Sequence, residues 1–264
     1  MTIVVKIGGA EGNEVGPVLA DLARRSDYVL VHGGSGEIDR LGETMGRPAE
    51  YFTSPSGVVS RYTDTEHLEV MVLAMAGRIQ TELVRALGAL GVRAVGLSGV
   101  DGGLLIARKK EASRAIQDGK VVRVKDDLSG VVEEVRADLL RVLLGAGYVP
   151  VVGPPAVSRR GELLNVDADR VAAQVAVALH AETLVLLTNV TGVLRDRNDP
   201  ASRIDTVSRD AVDSMMAYAE GRMRKKVLAA KEAAAGGVGR IVIASSTVPE
   251  PIARALAGDG TVIE

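Results

Sequence analysis

The sequence contains no cysteine and only three histidines among its 264 residues. The absence of cysteine excludes disulfide bonds, thiolate zinc sites and thiol catalysis in any redox compartment. His32, His67 and His180 lack the spacing of a metal site, and no serine–histidine–aspartate set accompanies them. We interpret His67 and His180 as solvated or core-edge side chains, whereas His32 either orients the loop that follows it or packs in the core.

The sequence also lacks an excess of charge of either sign. Its 32 lysines and arginines nearly balance its 34 aspartates and glutamates, which gives a formal net charge of −2. Such a chain has no overall field that would favour DNA, RNA or an acidic membrane. No apolar run reaches membrane-spanning length, and no basic segment followed by an apolar stretch opens the sequence. We therefore expect a cytoplasmic protein that binds neither nucleic acid nor a membrane.

Hydrophobic residues make up 47% of the chain, which is enough for a large core. Short segments that are nearly continuous in valine, isoleucine and leucine predict strands covered on both faces. These segments are residues 2–7, 28–32, 92–97, 104–107, 121–124, 148–152, 183–188 and 240–244. Amphipathic segments alternate with them, and this alternation predicts a doubly wound α/β sheet.

The clearest helical segment begins at a predicted capping box formed by Thr63 and Glu66, and an apolar stripe continues from Leu68 to Leu83. Further helices are predicted over residues 135–144, 167–179 and 223–235, and the last of them ends at a glycine pair. The polar stretch 195–203 predicts a surface loop.

Two of the predicted strands end at paired glycines. Lys6 is followed after one residue by Gly8 and Gly9, and the second strand ends directly at Gly33 and Gly34. Glycines at a strand end let backbone N–H groups approach an anion closely, and a neighbouring lysine adds a mobile positive charge. The pattern predicts a phosphate site. The P-loop, the GxGxxG turn and the HRD and DFG motifs of protein kinases are all missing, so phosphate binding must use another scheme.

Seven motifs, which follow one another over nearly the whole chain, together resemble the amino acid kinase family. They are VVKIGG at 4–9, VHGGSG at 31–36, SRYTD at 60–64, GLSGVDGGLLIARKK at 96–110, LNVDAD at 164–169, LTNVTGV at 187–193 and GRMRKKV at 221–227. The branch they resemble contains N-acetylglutamate kinase and the kinase that acts on aminoadipate or glutamate attached to a small acidic amino-group carrier protein, LysW. Residues 53–64 and 129–135 are more similar to the carrier-dependent kinase.

The resemblance implies a three-layer α/β/α sandwich with a mostly parallel central sheet. It implies one domain over residues 1–264, with an N-terminal substrate lobe at about 1–163 and a C-terminal nucleotide lobe at about 164–264. It also implies a homodimer that uses ATP and Mg²⁺. Feedback control by arginine is not expected, because no extra helix precedes the first strand and no second domain follows the last residue. Phosphates and water would hold the magnesium, so no residue is predicted as a metal ligand.

The resemblance assigns catalytic roles to Lys6, Lys226 and Asp169. The two lysines would bracket the transferred phosphoryl group from opposite ends of the chain, and Asp169 would hold them in place. Lys225 remains an alternative to Lys226, because the register of this basic segment depends on the valine that follows it. A lysine that ends an apolar strand, as Lys6 does, is costly to bury unless its charge is used.

The resemblance places the cofactor and the substrate on further residues. Gly8 and Gly9 would approach the ATP phosphates, while Gly33 and Gly34 would bind the substrate carboxylate or the phosphoryl group through backbone N–H donors. Arg61 would clamp the substrate α-carboxylate with its guanidinium fork, unless it is a surface arginine. The remaining assignments are Asn165 to the substrate and Thr188, Asn189 and Gly192 to the turn beneath the nucleotide.

The reaction implied is ATP-dependent phosphorylation of a side-chain carboxylate to an acyl phosphate. The resemblance favours carrier-linked aminoadipate in lysine biosynthesis, with dual use in arginine synthesis left open. N-acetylglutamate kinase on a free substrate is the alternative, and a regulatory binding module is a more distant one. Basic clusters at 108–110, 159–160 and 222–226 are candidates to steer an acidic carrier, or are ordinary solvated charge.

Overall fold

The computed structural model describes residues 2–9, 12–55, 57, 59–111, 113–117 and 120–264. All eight predicted strands are present, with ends that differ from the prediction by at most two residues. The strands of the described residues are β1 (Ile3–Ile7), β2 (Tyr28–His32), β3 (Tyr51–Thr53), β4 (Val59–Arg61), β5 (Ala94–Ser98), β6 (Leu105–Lys109), β7 (Ser113–Gln117), β8 (Lys120–Val124), β9 (Gly130–Val135), β10 (Val149–Gly153), β11 (Ala156–Val157), β12 (Leu163–Leu164), β13 (Thr183–Thr188), β14 (Thr206–Val207), β15 (Arg240–Ser245) and β16 (Thr261–Ile263).

The α-helices lie between these strands. They are α1 (Gly16–Leu22), α2 (Ser35–Thr44), α3 (Thr65–Val72), α4 (Gln80–Ala89), α5 (Asp138–Gly145), α6 (Ala168–Ala178), α7 (Gly221–Ala235) and α8 (Pro251–Leu256). A π-helical stretch, Leu73–Ile79, joins α3 to α4 without a break. Short 3₁₀ turns occur at Asp101–Gly103, Pro200–Ser202 and Arg209–Ala217. No helix within these described ranges is long and apolar enough to cross a membrane.

Eight strands form the central sheet, in the order β14-β16-β15-β13-β1-β2-β10-β5. The strands from β15 to β5 in this order are parallel, whereas β16 runs antiparallel to β15. Strands from the first 163 residues occupy one half of the sheet, and strands from residues 164–264 occupy the other. The two-lobe division at about residue 163 is consistent with this order and stays a prediction.

Both faces of the central sheet are buried because neighbouring residues along each strand point to opposite sides. Val4 and Leu184 pack in one apolar cluster with residues of α6 and α7. Val5 and Val185, one position further along the same strands, pack in a second cluster with residues of α1, α4 and α8. The result is three layers, helices on each side of one sheet, as the sequence predicts.

A smaller sheet, in the order β12-β11-β6-β9, lies beyond the central one, and two hairpins, β3–β4 and β7–β8, complete the strands. The prediction of a helix from residue 135 is wrong at its start, because residues 130–135 form β9, an antiparallel partner of β6. Helix α5 begins only at Asp138.

The predicted capping box is also corrected by the structure. Asp64, not Thr63, caps the helix that follows, since its carboxylate accepts the backbone N–H of His67 at 2.9 Å. Thr63 is buried, its N–H donates to Asp127 at 3.3 Å, and its hydroxyl accepts from Asn165 at 2.8 Å. Tertiary hydrogen bonds therefore occupy the residue that local sequence would use as a cap.

Candidate active site

A cavity of about 430 Å³ opens at the carboxyl end of the parallel strands β1, β2 and β13. In open α/β sheets, ligands bind in the crevice outside the carboxyl ends of the strands. The N-terminal residues of α2, α6 and α7 also line this cavity, and helix N-termini favour anions. Eleven of the twelve predicted site residues line it; they are Lys6, Gly8, Gly9, Gly33, Gly34, Arg61, Asn165, Asp169, Thr188, Asn189 and Lys226.

Two lysines meet one aspartate on the floor of this cavity. Lys6 Nζ and Lys226 Nζ each lie 2.8 Å from the same carboxylate oxygen, Oδ1 of Asp169. All three side chains are at least nine-tenths buried. Strand β1 supplies Lys6, the first turn of α6 supplies Asp169, and α7 supplies Lys226. The cluster thus joins the sheet to two helices that cover one of its faces.

The lysine–aspartate–lysine cluster carries a net positive charge in a place sheltered from water. Burial opposes ionisation of Asp169, but the charges of Lys226 and Lys6 outweigh it and hold the pKa of that carboxyl well below its ordinary value. Burial lowers the pKa of Lys226 to about 8, although the charge of Asp169 opposes this effect. One carboxylate cannot neutralise two ammonium groups, so the site is prepared for an anion.

A second lysine–aspartate pair lies beside this cluster and settles which lysine reaches Asp169. Lys225 Nζ lies 3.6 Å from Oδ2 of Asp167, and both side chains are more than a fifth exposed. Asp167 also caps α6, because its Oδ1 accepts the backbone N–H groups of Asp169 and Arg170. Lys226 therefore faces the cavity floor, while Lys225 lines the cavity nearer to solvent.

The two glycine turns touch one another, and they can do so only without side chains. A Cβ added to Gly9 would lie 2.6 Å from the carbonyl carbon of Gly33, and the Gly36 N–H donates to the Gly9 carbonyl at 2.8 Å. The Gly33 N–H donates to the Ile7 carbonyl at 3.1 Å, so it is engaged within the turn. Gly34 is the N-cap of α2, and the helix begins directly after it at Ser35.

Arg61 reaches the cavity from β4 and is held there by its neighbours. Its Nη1 lies 2.6 Å from Oδ1 of Asp39, and its Nη2 donates to the Tyr51 hydroxyl at 2.8 Å and to the Ser35 carbonyl at 3.2 Å. The side chain is only 10% exposed, which does not fit the alternative of a surface arginine. Asn165, on the same cavity, donates its amide to Thr63.

The segment after β13 divides into a part that lines the cavity and a part that does not. Thr188 and Asn189 line it. Gly192 lies outside the lining residues and packs against the chain near β16, where a Cβ would meet the Thr261 hydroxyl at 2.7 Å. The backbone N–H of Val193 donates to this same hydroxyl at 2.8 Å. Gly192 therefore permits a close contact beneath the turn and makes no contact within the cavity.

Further residues of the cavity include Asn13, Lys110, Ser129 and Arg222, none of them among the predicted catalytic and binding residues, although Lys110 and Arg222 belong to the predicted basic clusters. Lys110 is half-buried, and burial lowers its pKa. It had been grouped with Arg108, which instead pairs with Glu133 at 3.1 Å. Strand β6 ends at Lys109, so Lys110 lies just outside it, and the sequence carries no signal that separates Lys110 from Arg108.

Within the ranges that the structure describes, no group of three or more histidine, aspartate or glutamate side chains could hold a metal ion. The residues that surround the cavity are instead suited to phosphate, because amide groups, glycine turns and lysines converge on it.

These features are those expected of an enzyme that binds phosphate with glycine turns and lysines in place of a P-loop. The model of the amino acid kinase family matches residues 1–245, and the chain belongs to this family. The resemblance drawn from the motifs is thereby confirmed, and the protein is an ATP-dependent kinase.

Curated relatives narrow the comparison. The LysW-aminoadipate kinase of Deinococcus radiodurans is 49% identical over 265 residues, which cover 99% of this chain and 91% of that protein. The LysW-aminoadipate kinase of Thermus thermophilus is 43% identical over 99% of both chains. An acetylglutamate kinase of Methanosarcina mazei is 36% identical over 89% of this chain and 79% of its own length.

Solved structures share the fold. The smu.665 protein of Streptococcus mutans UA159 has a TM-score of 0.77 at 23% identity, over 99% of this chain and 98% of that one. Giardia carbamate kinase has a TM-score of 0.71 at 16% identity over the same shares. The predicted fold class is confirmed.

Proposed function

We propose that this protein transfers the γ-phosphoryl group of ATP to the side-chain carboxylate of aminoadipate while the amino acid is attached to a small acidic carrier protein, LysW. The chemistry rests on one observation, the two buried lysines that share Asp169 beside the paired glycine turns. The identity of the substrate is inferred from the two LysW-aminoadipate kinases, which align with 99% of this chain.

The reaction needs no general base. The substrate carboxylate has a reference pKa of about 4.3 and is already an ionised nucleophile at neutral pH. Repulsion between the carboxylate and the phosphates of ATP opposes the attack, so catalysis depends on positioning and on cations around the transferred group. Lys6 and Lys226 supply these cations, and Asp169 fixes their ammonium groups on one oxygen.

The residues present fit the phosphates of ATP. Gly8 and Gly9 let the chain after β1 approach them, and Gly34 and Ser35, at the start of α2, line the same cavity. When bound, ATP supplies the phosphoryl group and Mg²⁺ neutralises part of its charge. We propose that phosphates and water hold the Mg²⁺, with no carboxylate cluster of the described chain required.

The substrate end of the cavity is cationic as well. Arg61 clamps the α-carboxylate of the amino acid, and Asn165 contacts the same molecule. Lys110, Arg222 and Lys225 line the way out of the cavity, where the chain of an acidic carrier would approach. Of the predicted basic clusters, parts of two therefore converge on the cavity. Arg159 does not, since it pairs with Glu134 at 2.8 Å.

The alternative is phosphorylation of free N-acetylglutamate in arginine biosynthesis. It is favoured by the acetylglutamate kinase of Methanosarcina mazei, which is 36% identical. We regard use of carrier-linked glutamate as an extension of the main proposal, because one methylene changes binding by only about 1–3 kcal/mol. A homodimer, a cytoplasmic location and the two-lobe division remain part of the proposal.

The test is to trap the acyl phosphate with hydroxylamine in the presence of MgATP. Carrier-linked aminoadipate, carrier-linked glutamate and free N-acetylglutamate are compared, with Lys6→Ala as the inactive blank. Lys231→Ala is the matched control, because Lys231 pairs with Asp213 on an exposed surface. Turnover confined to carrier-linked substrates supports the proposal. Turnover on free N-acetylglutamate would transfer the assignment to the alternative.

A further inference from the structure

Directly before the Gly33–Gly34 turn lies a histidine to which the proposed chemistry assigns no role. His32 ends β2 and is completely buried. Its ring packs on the end of β10 so closely that a Cβ on Gly153 would lie 2.6 Å from its Cε1 atom. Because the ring packs this closely against β10, the sheet fixes its position.

Gln80 is the second buried polar residue here. It is the first residue of α4, just after the π-helical stretch, and is only 9% exposed. Its carboxamide packs on β5, where a Cβ on Gly96 would lie 2.6 Å from Nε2 of Gln80. Strands β5 and β10 are neighbours in the sheet, with Gly96 paired to Val151 and Gly153 paired to Ser98, so the two glycines that His32 and Gln80 contact lie on adjacent strands.

The hydrogen bonds of this pair are incomplete. Within the described part of the chain, neither ring nitrogen of His32 nor Oε1 of Gln80 meets hydrogen-bond geometry. Burial lowers the pKa of His32 to about 4, and the side chain of Gln80 and the backbone of Gly33 oppose this decrease. Buried polar atoms without partners are costly, so a hydrogen bond between His32 and Gln80 would remove a cost that both side chains otherwise carry.

The geometry also ties this pair to the glycine turn. A Cβ on Gly34 would overlap Sδ of Met75 and Cδ1 of Ile79, so the π-helical stretch is in direct contact with the turn. Gln80 follows Ile79 in the same continuous helix. The turn is thus held on one side by this helix and on the other by the strand that ends at His32.

We propose that His32 and Gln80 form a positioning pair, in which the neutral ring donates an N–H to Oε1 of Gln80 and sets the Gly33–Gly34 turn against the helix that contains Met75 and Ile79. This inference rests on the proposed function, because the turn binds the reacting groups there. His32 itself touches no substrate. A shift of the turn by about 1 Å would misplace the reacting atoms and can cost about 10²-fold in rate.

The first experiment needs no substrate. The chain has only three histidines, so the Cε1 proton resonance of His32 can be assigned by comparison with His32→Asn. In wild type, this resonance stays in its neutral position down to about pH 5, given the pKa of about 4. In Gln80→Glu, a carboxylate beside the ring moves the midpoint up by about 1–3 pH units. Lys6 on β1 is the described charge that acts on the ring from the other side, and it is identical in both proteins.

The second experiment is kinetic. Gln80→Met keeps the volume but loses the acceptor, and we expect kcat to fall about tenfold to 10²-fold while KM for ATP changes by no more than about twofold. Gln80→Glu should add an acid limb to the pH profile of kcat. His180→Asn is the control, since His180 is exposed and its φ of 50° suits asparagine.

Two results would overturn the inference. One is a His32 resonance that titrates at the same pH in wild type and in Gln80→Glu, which would show that the two side chains do not interact. The other is a Gln80→Met enzyme with unchanged kcat and a lowered melting temperature, which would leave the pair a purely structural role. Failure of the kinase assignment would appear instead as an inactive wild type, and the resonance experiment would be unaffected.

Discussion

Two lysine–aspartate pairs connect the same two helices and differ in almost every other respect. Lys226 and Asp169 are 2.8 Å apart and nearly inaccessible, whereas Lys225 and Asp167 are 3.6 Å apart and open to solvent. The lysines are consecutive on α7, and the aspartates are two residues apart on α6. Exposed pairs contribute about 0–1 kcal/mol, while a buried pair that loses one partner leaves an uncompensated charge. A shift of one residue along a helix therefore separates a buried ammonium group from a partly exposed one.

The largest effect expected from this contrast is on stability. Asp169→Asn leaves Lys6 and Lys226 buried without a counter-charge, and we expect the free energy of unfolding to fall by about 3–5 kcal/mol. Asp167→Asn keeps an N-capping side chain and should cost about 1 kcal/mol or less. Urea unfolding of both variants measures the difference. Equal losses would mean that burial does not separate the two pairs.

The stability difference also depends on pH. The folded-state pKa of Asp169 lies below the unfolded value of about 3.9, so its contribution is complete above that value and is lost as the pH falls toward the folded pKa. The gap between wild type and Asp169→Asn should therefore persist at neutral pH and narrow below about pH 4.

The next effect is on catalysis. Lys226→Met removes a cation from the transferred phosphoryl group, and we expect kcat to fall by about 10²–10³-fold, as for the loss of one preorganised transition-state donor. Lys225→Met should leave kcat nearly unchanged and raise KM for the carrier-linked substrate a few-fold, as expected for the loss of a charge at the rim of an interface. Steady-state kinetics with the hydroxylamine assay separates the two. Similar kcat values for both variants would argue against a catalytic role for Lys226.

The smallest effect is a pH limb. Burial lowers the pKa of Lys226 to about 8, so kcat/KM should fall about tenfold per pH unit above that value as the ammonium loses its proton. Lys226→Arg should move this limb to higher pH, because arginine stays charged. Lys225→Met, the matched change in the exposed pair, should leave the limb in place.

Unfolding cannot mimic this limb. Between about pH 8 and 10.4, the unfolded chain binds a proton at Lys226 that the folded chain has lost, so this group makes the free energy of unfolding rise with pH. Activity and this part of the stability therefore change in opposite directions. A limb that follows a decline in stability over the same range would contradict the assignment.

Sequence reasoning located the central sheet because buried parallel strands are nearly continuous in apolar residues. It located the glycine turns because glycine and lysine at strand ends have few other uses. It could not fix the cap before α3, since Thr63 is drawn to Asp127 and Asn165 by contacts across the fold. The strand β9 was hidden for the same reason, because its pairing with β6 is a tertiary property.

Within the candidate site, the sequence distinguished residue types better than their surroundings. Lys225 and Lys226 are alike in sequence, and only the packing of α7 on α6 shows which one is buried. Lys110 was grouped with its neighbours by charge, although it lines the cavity whereas Arg108 pairs with Glu133. Gly192 was assigned to the nucleotide by its place in a motif, and its contact with Thr261 appears only in three dimensions.

The position of β1 between β2 and β13 has a consequence for biosynthesis. The first neighbour follows within some 30 residues, but the second begins only at Thr183. At a ribosomal rate of about 5–20 residues per second, β1 waits roughly 10 to 40 seconds with an unpaired edge, which is a template for aggregation. Lys6 meets Lys226 only later, once α7 has been made. A chain that ends before α7 therefore cannot assemble the paired lysines, so the cluster forms only after Lys226 has been made.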